Sequence, residues 1–241
     1  MALPAYRSSG ARVASITTAT PLGGAGLAVN DVELLQVESA DEAVTLSTAN
    51  GFAEITGSPA SAPNADLLIA TRITVFWRRW DGVKGDPVIA DAGNHVHAQR
   101  HAFSGVITSG DPQNITVGSA ETVEDTSGSA TGGTTTVDDC LVVLLAVSAK
   151  PDAADAPRYS AETNADLANI IEQQDGSTNI GNGGAMMMTT GERATAGAFG
   201  ATTYTHTTLT YKAHLQVALK PVPPAAFPPP SRRREATLVR M

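Results

Sequence analysis

Cys140-Leu141-Val142-Val143-Leu144-Leu145-Ala146-Val147 is the most apolar run in the chain, and its reading decides the fold. It is entered through Val137-Asp138-Asp139 and left at the Pro- and Asp-containing stretch 149–164. Eight residues are far too few for a membrane span, which needs ~20. An unbroken apolar run bounded by turn signals is what a central strand covered on both faces requires. The run therefore predicts a buried sheet with a second layer on each side. The lone cysteine, Cys140, rules out an intrachain disulfide and, buried there, reads as an inert thiol.

Outward from this run the pattern is that of short strands. Val32–Val37, Val44–Ser47, Phe52–Ile55 and the aromatic-basic stretch Ile73–Trp80 precede it, the last closed by Asp81-Gly82. In Val88–Val106 the side chains of His95, His97, Gln99, His101 and Phe103 share one face if the segment is a single strand. Residues 118–136 read as a low-complexity loop or a polar edge strand. After the apolar run, 165–174 reads as a short helix capped by Asn164, or alternatively as a strand over 167–172. Ala185–Thr190, Thr202–Thr208 and Leu209–Leu219 complete the set. With 22 glycines and only 5% aromatics, this predicts an all-β fold: a single antiparallel β-sandwich of jelly-roll type with about nine to eleven strands.

The predicted organisation is an N-terminal extended segment 1–24, a sandwich over 25–220 and a Pro/Arg-rich arm over 221–241. The arm opens with Pro221, Pro223 and Pro224, continues through Phe227, and carries Arg232, Arg233 and Arg234. Proline fixes its own φ and cannot donate to a ladder, so this segment is expected to lie extended outside the sheets. The arm bears +3, whereas the first 220 residues bear −11. Such a body argues against direct nucleic-acid binding, and an acidic body with a basic arm suits attraction between copies, a homo-oligomer. No apolar signal segment follows Met1-Ala2-Leu3-Pro4.

Chemistry-bearing motifs are sparse. His95-x-His97 with His101 could supply metal ligands, within one chain alongside a carboxylate such as Asp91 or around a trimer axis, but no further ligand stands at a diagnostic spacing. Surface or interface histidines are the commoner outcome, and no metal or other cofactor is expected. Trp77 and Trp80 fall on opposite faces of their strand, packing against Val75 and Phe76 respectively, or offering a platform to a sugar. Arg78-Arg79 read as cover for apolar surface or as partners of acids. No G-x-S-x-G elbow or P-loop is present. The chain is therefore expected not to be an enzyme.

Several landmarks occur in order: Asn30-Asp31-Val32, Val75–Trp80, Ala102-Phe103-Ser104-Gly105-Val106, Asp138-Asp139-Cys140-Leu141-Val142-Val143, 196–202 and Leu219-Lys220-Pro221. Over residues 25–221 this series resembles a module of structural proteins borne on the heads or tails of tailed bacteriophages. The resemblance implies a jelly-roll-like sandwich, other virion proteins as partners, and a place on the virion as capsid decoration or tail surface protein. The alternative expectation is a carbohydrate-binding module that attaches to host-surface glycans.

Overall fold

A computed structural model describes residues 3–66, 68–150 and 154–224. Among them are seventeen strands and no helix. The first nine are β1 (Ala5–Ser9), β2 (Val13–Ser15), β3 (Val32–Ser39), β4 (Leu46–Thr48), β5 (Ala53–Glu54), β6 (Ala60–Ala62), β7 (Thr71–Arg79), β8 (Val88–Ile89) and β9 (Val96–Ser104). There follow β10 (Gln113–Ala130), β11 (Gly133–Thr135), β12 (Cys140–Ser148), β13 (Tyr159–Thr163), β14 (Ala168–Thr178), β15 (Gly184–Arg193), β16 (Gly197–Phe199) and β17 (Thr202–Leu219). The excess over the expected nine to eleven comes mostly from two- and three-residue ladders too short to give a periodic signal.

The main strands form two antiparallel sheets. The first runs β1-β9-β3-β7-β5, with β2 also on β9 and β6 also on β7; the second runs β10-β17-β12-β15-β14, with β13 on the far part of β17. Between them Val32, Leu34, Ile73, Val75 and Phe103 of the first sheet pack on Leu141, Val143, Leu145, Met186, Met188 and Leu215 of the second. The sandwich is thus as expected, with β12 as a central strand buried along its whole length.

The winding is not that of a jelly roll. A jelly roll alternates its strands between sheets, whereas here the chain completes the first sheet by Ser104, crosses once, and builds the second from Gln113. Strand and turn signals carry no information on winding, because they mark where strands end and not which sheet receives the next one.

Two boundaries differ from expectation, at residues 1–24 and at Lys220, and two open readings are decided, over 165–174 and 118–136. Residues 1–24 are extended but belong to the sandwich, since β1 and β2 both pair with β9. The helix over 165–174 does not form; the alternative strand does, as β14, hydrogen-bonded to β15. Of the two readings of 118–136, the polar edge strand holds over 118–130, as the continuation of β10. The C-terminal tie reaches further than Lys220: Pro221 is buried and bridges Val106, and the Val222 N–H donates to Gly105 O at 3.1 Å. Pro223 and Pro224 are exposed, while Phe227, Arg232, Arg233 and Arg234 lie outside the described residues.

Each sheet is covered on its outer face as well. Over the first sheet, Leu35, Val37, Phe76 and Val96 meet Val44, Phe52 and Ile89 from the segments around β4 and β8. Over the second, β17 folds back on itself: the Thr202 hydroxyl donates to Gln216 Oε1 at 3.2 Å, although the two are fourteen residues apart on one strand. The returning part brings Tyr204, and β13 brings Tyr159, onto Leu144, Ala146 and Met187. Register shifts in β10 between Glu121 and Ser127 accompany the bend.

Candidate functional site: a cleft beside the histidine strand

The three candidate histidines lie on or beside β9, and all are buried. His95 Nε2 stands 2.7 Å from Glu38 Oε2, and its Nδ1 stands 2.9 Å from Asn94 Oδ1. Burial opposes charge on His95, but Glu38 and then Glu42 outweigh it and hold its pKa above the ordinary histidine value. His101 lies between Ser9 Oγ at 2.7 Å and Gln36 Oε1 at 3.1 Å. Burial, then Arg12, pushes its pKa down to about 3, so it is neutral. Gln36 completes the chain by donating to Ala146 O across the sandwich at 3.0 Å. These rings are spent on joining β1, β3 and β9, and on linking the two sheets through Gln36.

They do not converge. Among the described residues no group of three or more His, Cys, Asp or Glu is placed to hold a metal ion. Their burial inside one chain also removes the trimer-axis arrangement. Asp91 is not drawn toward them; its carboxylate accepts from the Gly93 amide at 2.8 Å.

The aromatic candidates are engaged as well. Trp77 is half-buried and packs against the inter-sheet core with Val75. Trp80 carries the Arg78 guanidinium over its ring at 4.9 Å, and Phe52 takes the same guanidinium at 4.4 Å. Arg78 is fully buried, with its Nε donating to Glu33 Oε2 at 2.6 Å. This places the acid-pairing and surface-covering expectations for Arg78 in one residue. Cys140 is buried, and burial followed by Asp139 pushes its thiol up to about 11. It is an inert packing group. Asp138 Oδ1 accepts from the Ala196 amide at 2.7 Å, holding the turn ahead of β12.

His97 is the exception. Its Nδ1 is buried and has no hydrogen-bond partner. Burial first, then the Arg12 charge, pushes its pKa down to about 3. It forms part of the wall of a cleft of about 500 Å³ bounded by residues 10–14, by Gln99, by Asp155 and Gln174, and by residues 177–180. The local sequence builds this cleft in a simple way. Between β1 and β2 the chain steps outward at Gly10, where a Cβ would fall 1.9 Å from Leu22 O. At Gly176 of β14 a Cβ would fall 2.3 Å from the Arg12 guanidinium carbon, so that guanidinium rests directly on bare backbone. Arg12 then pairs with Asp155 at the rim.

Two further polar atoms in this cleft residue set lack partners. Gln99 is 2% exposed, and its Oε1 accepts no hydrogen bond. Arg12 Nε is likewise unpaired. The alternation on β9 identifies His97 and Gln99 as sharing a face, but the cleft needs residues 10–14 and 177–180 as well. That long-range approach leaves no local signal, so sequence reasoning missed Arg12 and Asp155 and placed Gln99 beside His97 without a role. Comparison of this chain with protein-family models, with curated proteins and with solved structures finds no match.

Proposed function

We propose that this protein is a structural component of a tailed-bacteriophage virion, a capsid decoration or tail surface protein that works through protein–protein assembly. The observation that carries the proposal is the way the chain leaves the sandwich. The last sheet residues are tied at Val222 to the crossover between the two sheets, and Pro223 and Pro224 then stand in solvent. A proline-rich segment with a cluster of three arginines follows. Launched from a fixed point, such a segment suits a clasp on a neighbouring acidic subunit. The body supports this reading through what its polar groups do: Glu33, Glu38, Gln36, Arg78 and Arg100 are all buried in hydrogen bonds that link strands and sheets. The glycan-platform reading of Trp77 and Trp80 finds no such support, because both rings are already in contact with the chain itself.

The tie also tells where to cut. Removal of 223–241 spares the Val106–Pro221 bridge and the Val222 hydrogen bond. The truncated chain is expected to keep its melting temperature while losing assembly. The full chain should sediment as an oligomer, and antibodies raised against it should label phage particles in electron micrographs. A monomeric full chain together with unlabelled particles would refute the proposal.

A further inference from the structure

The cleft under Arg12 holds an unusual concentration of unmet hydrogen-bonding demand. Leaving a buried polar atom unpaired costs about 1–3 kcal/mol, so each such atom invites an explanation. Gln99 is the most informative. Its amide nitrogen donates to Gly10 O at 2.8 Å and to Gln174 Oε1 at 2.9 Å. Two acceptors around that nitrogen fix the amide's orientation. Oε1 is therefore an acceptor in want of a donor. The neutral His97 ring offers one N–H and one lone pair. Arg12 adds an unpaired Nε–H, while its charge is offset by Asp155 at the rim.

These groups select a chemistry. A carboxylate carries no hydrogen for Gln99 Oε1, and a phosphate, although its P–OH can donate, brings negative charge to an Arg12 that Asp155 already neutralises. A cation would meet Arg12. A hydroxyl both donates and accepts, so a molecule with several hydroxyls has a group for an amide oxygen, for an imidazole and for a guanidinium N–H. Val13 and Ile180 give the cleft apolar wall, which suits the C–H faces of a ring. About 500 Å³ lies within the range of small-molecule sites.

We propose that the cleft formed by Arg12, Val13, His97, Gln99, Asp155 and Ile180 binds a residue of an uncharged, hydroxyl-rich sugar. The proposal does not depend on assembly, since every group involved belongs to one folded chain. It concerns β9, β14 and the β1–β2 connection, and neither tryptophan takes part.

The test is a set of amide ¹H–¹⁵N correlation spectra of the full chain. D-glucose, D-galactose, D-mannose, N-acetyl-D-glucosamine and L-rhamnose are each added to about 50 mM, enough to fill most of a site of millimolar affinity. Sodium phosphate and sodium acetate are titrated in parallel. At least one sugar is expected to shift amides confined to residues 10–14 and 174–180, with neither anion doing so. Ala11 and Asn179 are exposed on opposite walls, so Ala11→Trp and Asn179→Trp can each fill the cleft without entering the core. Each should weaken sugar binding by at least roughly tenfold, a loss that the same titration reads. Melting temperatures check that the variants fold, and two walls are used so that one misfolded variant does not remove the test. Silence with all five sugars, equal shifts with phosphate, or undiminished sugar binding in the folded variants each overturns the proposal. A failure here leaves assembly untouched, because sedimentation of the full chain reads that separately.

Discussion

The two sheets are each organised around a fully buried strand, yet β3 and β12 are buried by opposite means. β12 is apolar on both faces apart from its last residue, and its neighbours answer it with Val217, Leu215, Met186, Met187 and Met188. β3 carries Glu33, Gln36 and Glu38 in eight residues, all at most 1% exposed. Its burial holds because each polar group has a partner. Glu33 accepts from both Arg78 and Arg100, Glu38 from Thr71 with His95 alongside, and Gln36 bridges the sheets. Arg78 and Arg100 pass the chain of hydrogen bonds on to Asn50 O, Gly85 O and Pro21 O. A strand of the first kind tolerates changes of shape within limits. A strand of the second kind depends on every member of its network being present.

The largest effect should therefore follow from removing one charge of three. Glu33→Ala leaves buried Arg78 without a carboxylate and Arg100 with only the partly exposed Asp86, which is expected to destabilise by about 3–5 kcal/mol in urea titration. The matching change in β12, Leu145→Ala, loses only apolar contact and opens a cavity, for about 2–5 kcal/mol according to how far the site collapses. What separates the two mechanisms is the compensated variant. Glu33→Met with Arg78→Leu and Arg100→Met removes the three buried charges at once, leaves only the partly exposed Asp86, and should cost less than Glu33→Ala alone. If the triple variant is the less stable of the two, the network contributes more than its parts and the contrast drawn here is wrong.

This difference also explains what could be read in advance. The apolar run of β12 announced a doubly covered sheet, and its neighbours Ala213–Leu219 alternated plainly enough to be read as a strand. Burial of β3 along its whole length was not legible. Val-Glu-Leu-Leu-Gln-Val-Glu-Ser looks half-exposed, because the arginines that satisfy Glu33 stand 45 and 67 residues away. The helix over 165–174 failed for a related reason: its Ile170-Ile171 pair suits either period, and pairing with β15 decided the matter. Of the candidate site, only the shared face of His97 and Gln99 was visible. The unmet hydrogen bonds that single them out exist only once β2 and β14 have closed around them.

A second effect should appear on acidification. His97, His101 and His214 are all buried, and burial is the first cause that pushes each to about 3. The folded protein keeps them neutral, while the unfolded chain takes up protons below its ordinary pKa near 6.5. Stability contributed by these groups is therefore full above about pH 6.5 and is lost as pH falls toward 3. At pH 5 the loss is on the order of 2 kcal/mol per ring. His95 runs the other way: its raised pKa gives stability that is present in acid and lost as pH rises through the folded value. Of these three rings, His97 and His101 lie on β9 of the first sheet and His214 on β17 of the second. His214→Gln should make the fall in urea midpoint between pH 6.5 and 5 shallower by about one proton's worth, while leaving the loss from β9 in place. Parallel pH profiles for the variant and the parent would show that His214 is not held neutral.

The smallest effect lies at the edge of the second sheet, where the rule seen in β3 is reversed and like charges face each other. Glu172 on β14 sits beside Glu162 on β13, with Asp175 nearby. Burial first, then the Glu162 charge, pushes Glu172 up to about 7, and burial likewise brings Asp175 to about 6 against the amides of Tyr159 and Arg158. A carboxyl whose folded pKa lies above its unfolded value near 4.3 is held protonated by the folded state. Its contribution is therefore neutral in acid and becomes a penalty as pH rises from about 4.5 to 7. Glu172 is exposed, so screening by water keeps the penalty small, at about 1 kcal/mol or less. Glu172→Gln removes the repulsion while keeping a group that can hydrogen-bond to Glu162. It should raise the urea midpoint at pH 8 and leave it unchanged at pH 4.5, a sign opposite to that of Glu33→Ala. Equal midpoints for variant and parent at pH 8 would mean that the edge carboxylates are already relieved by solvent. The two sheets would then differ in where their charges lie, but not in whether those charges are balanced.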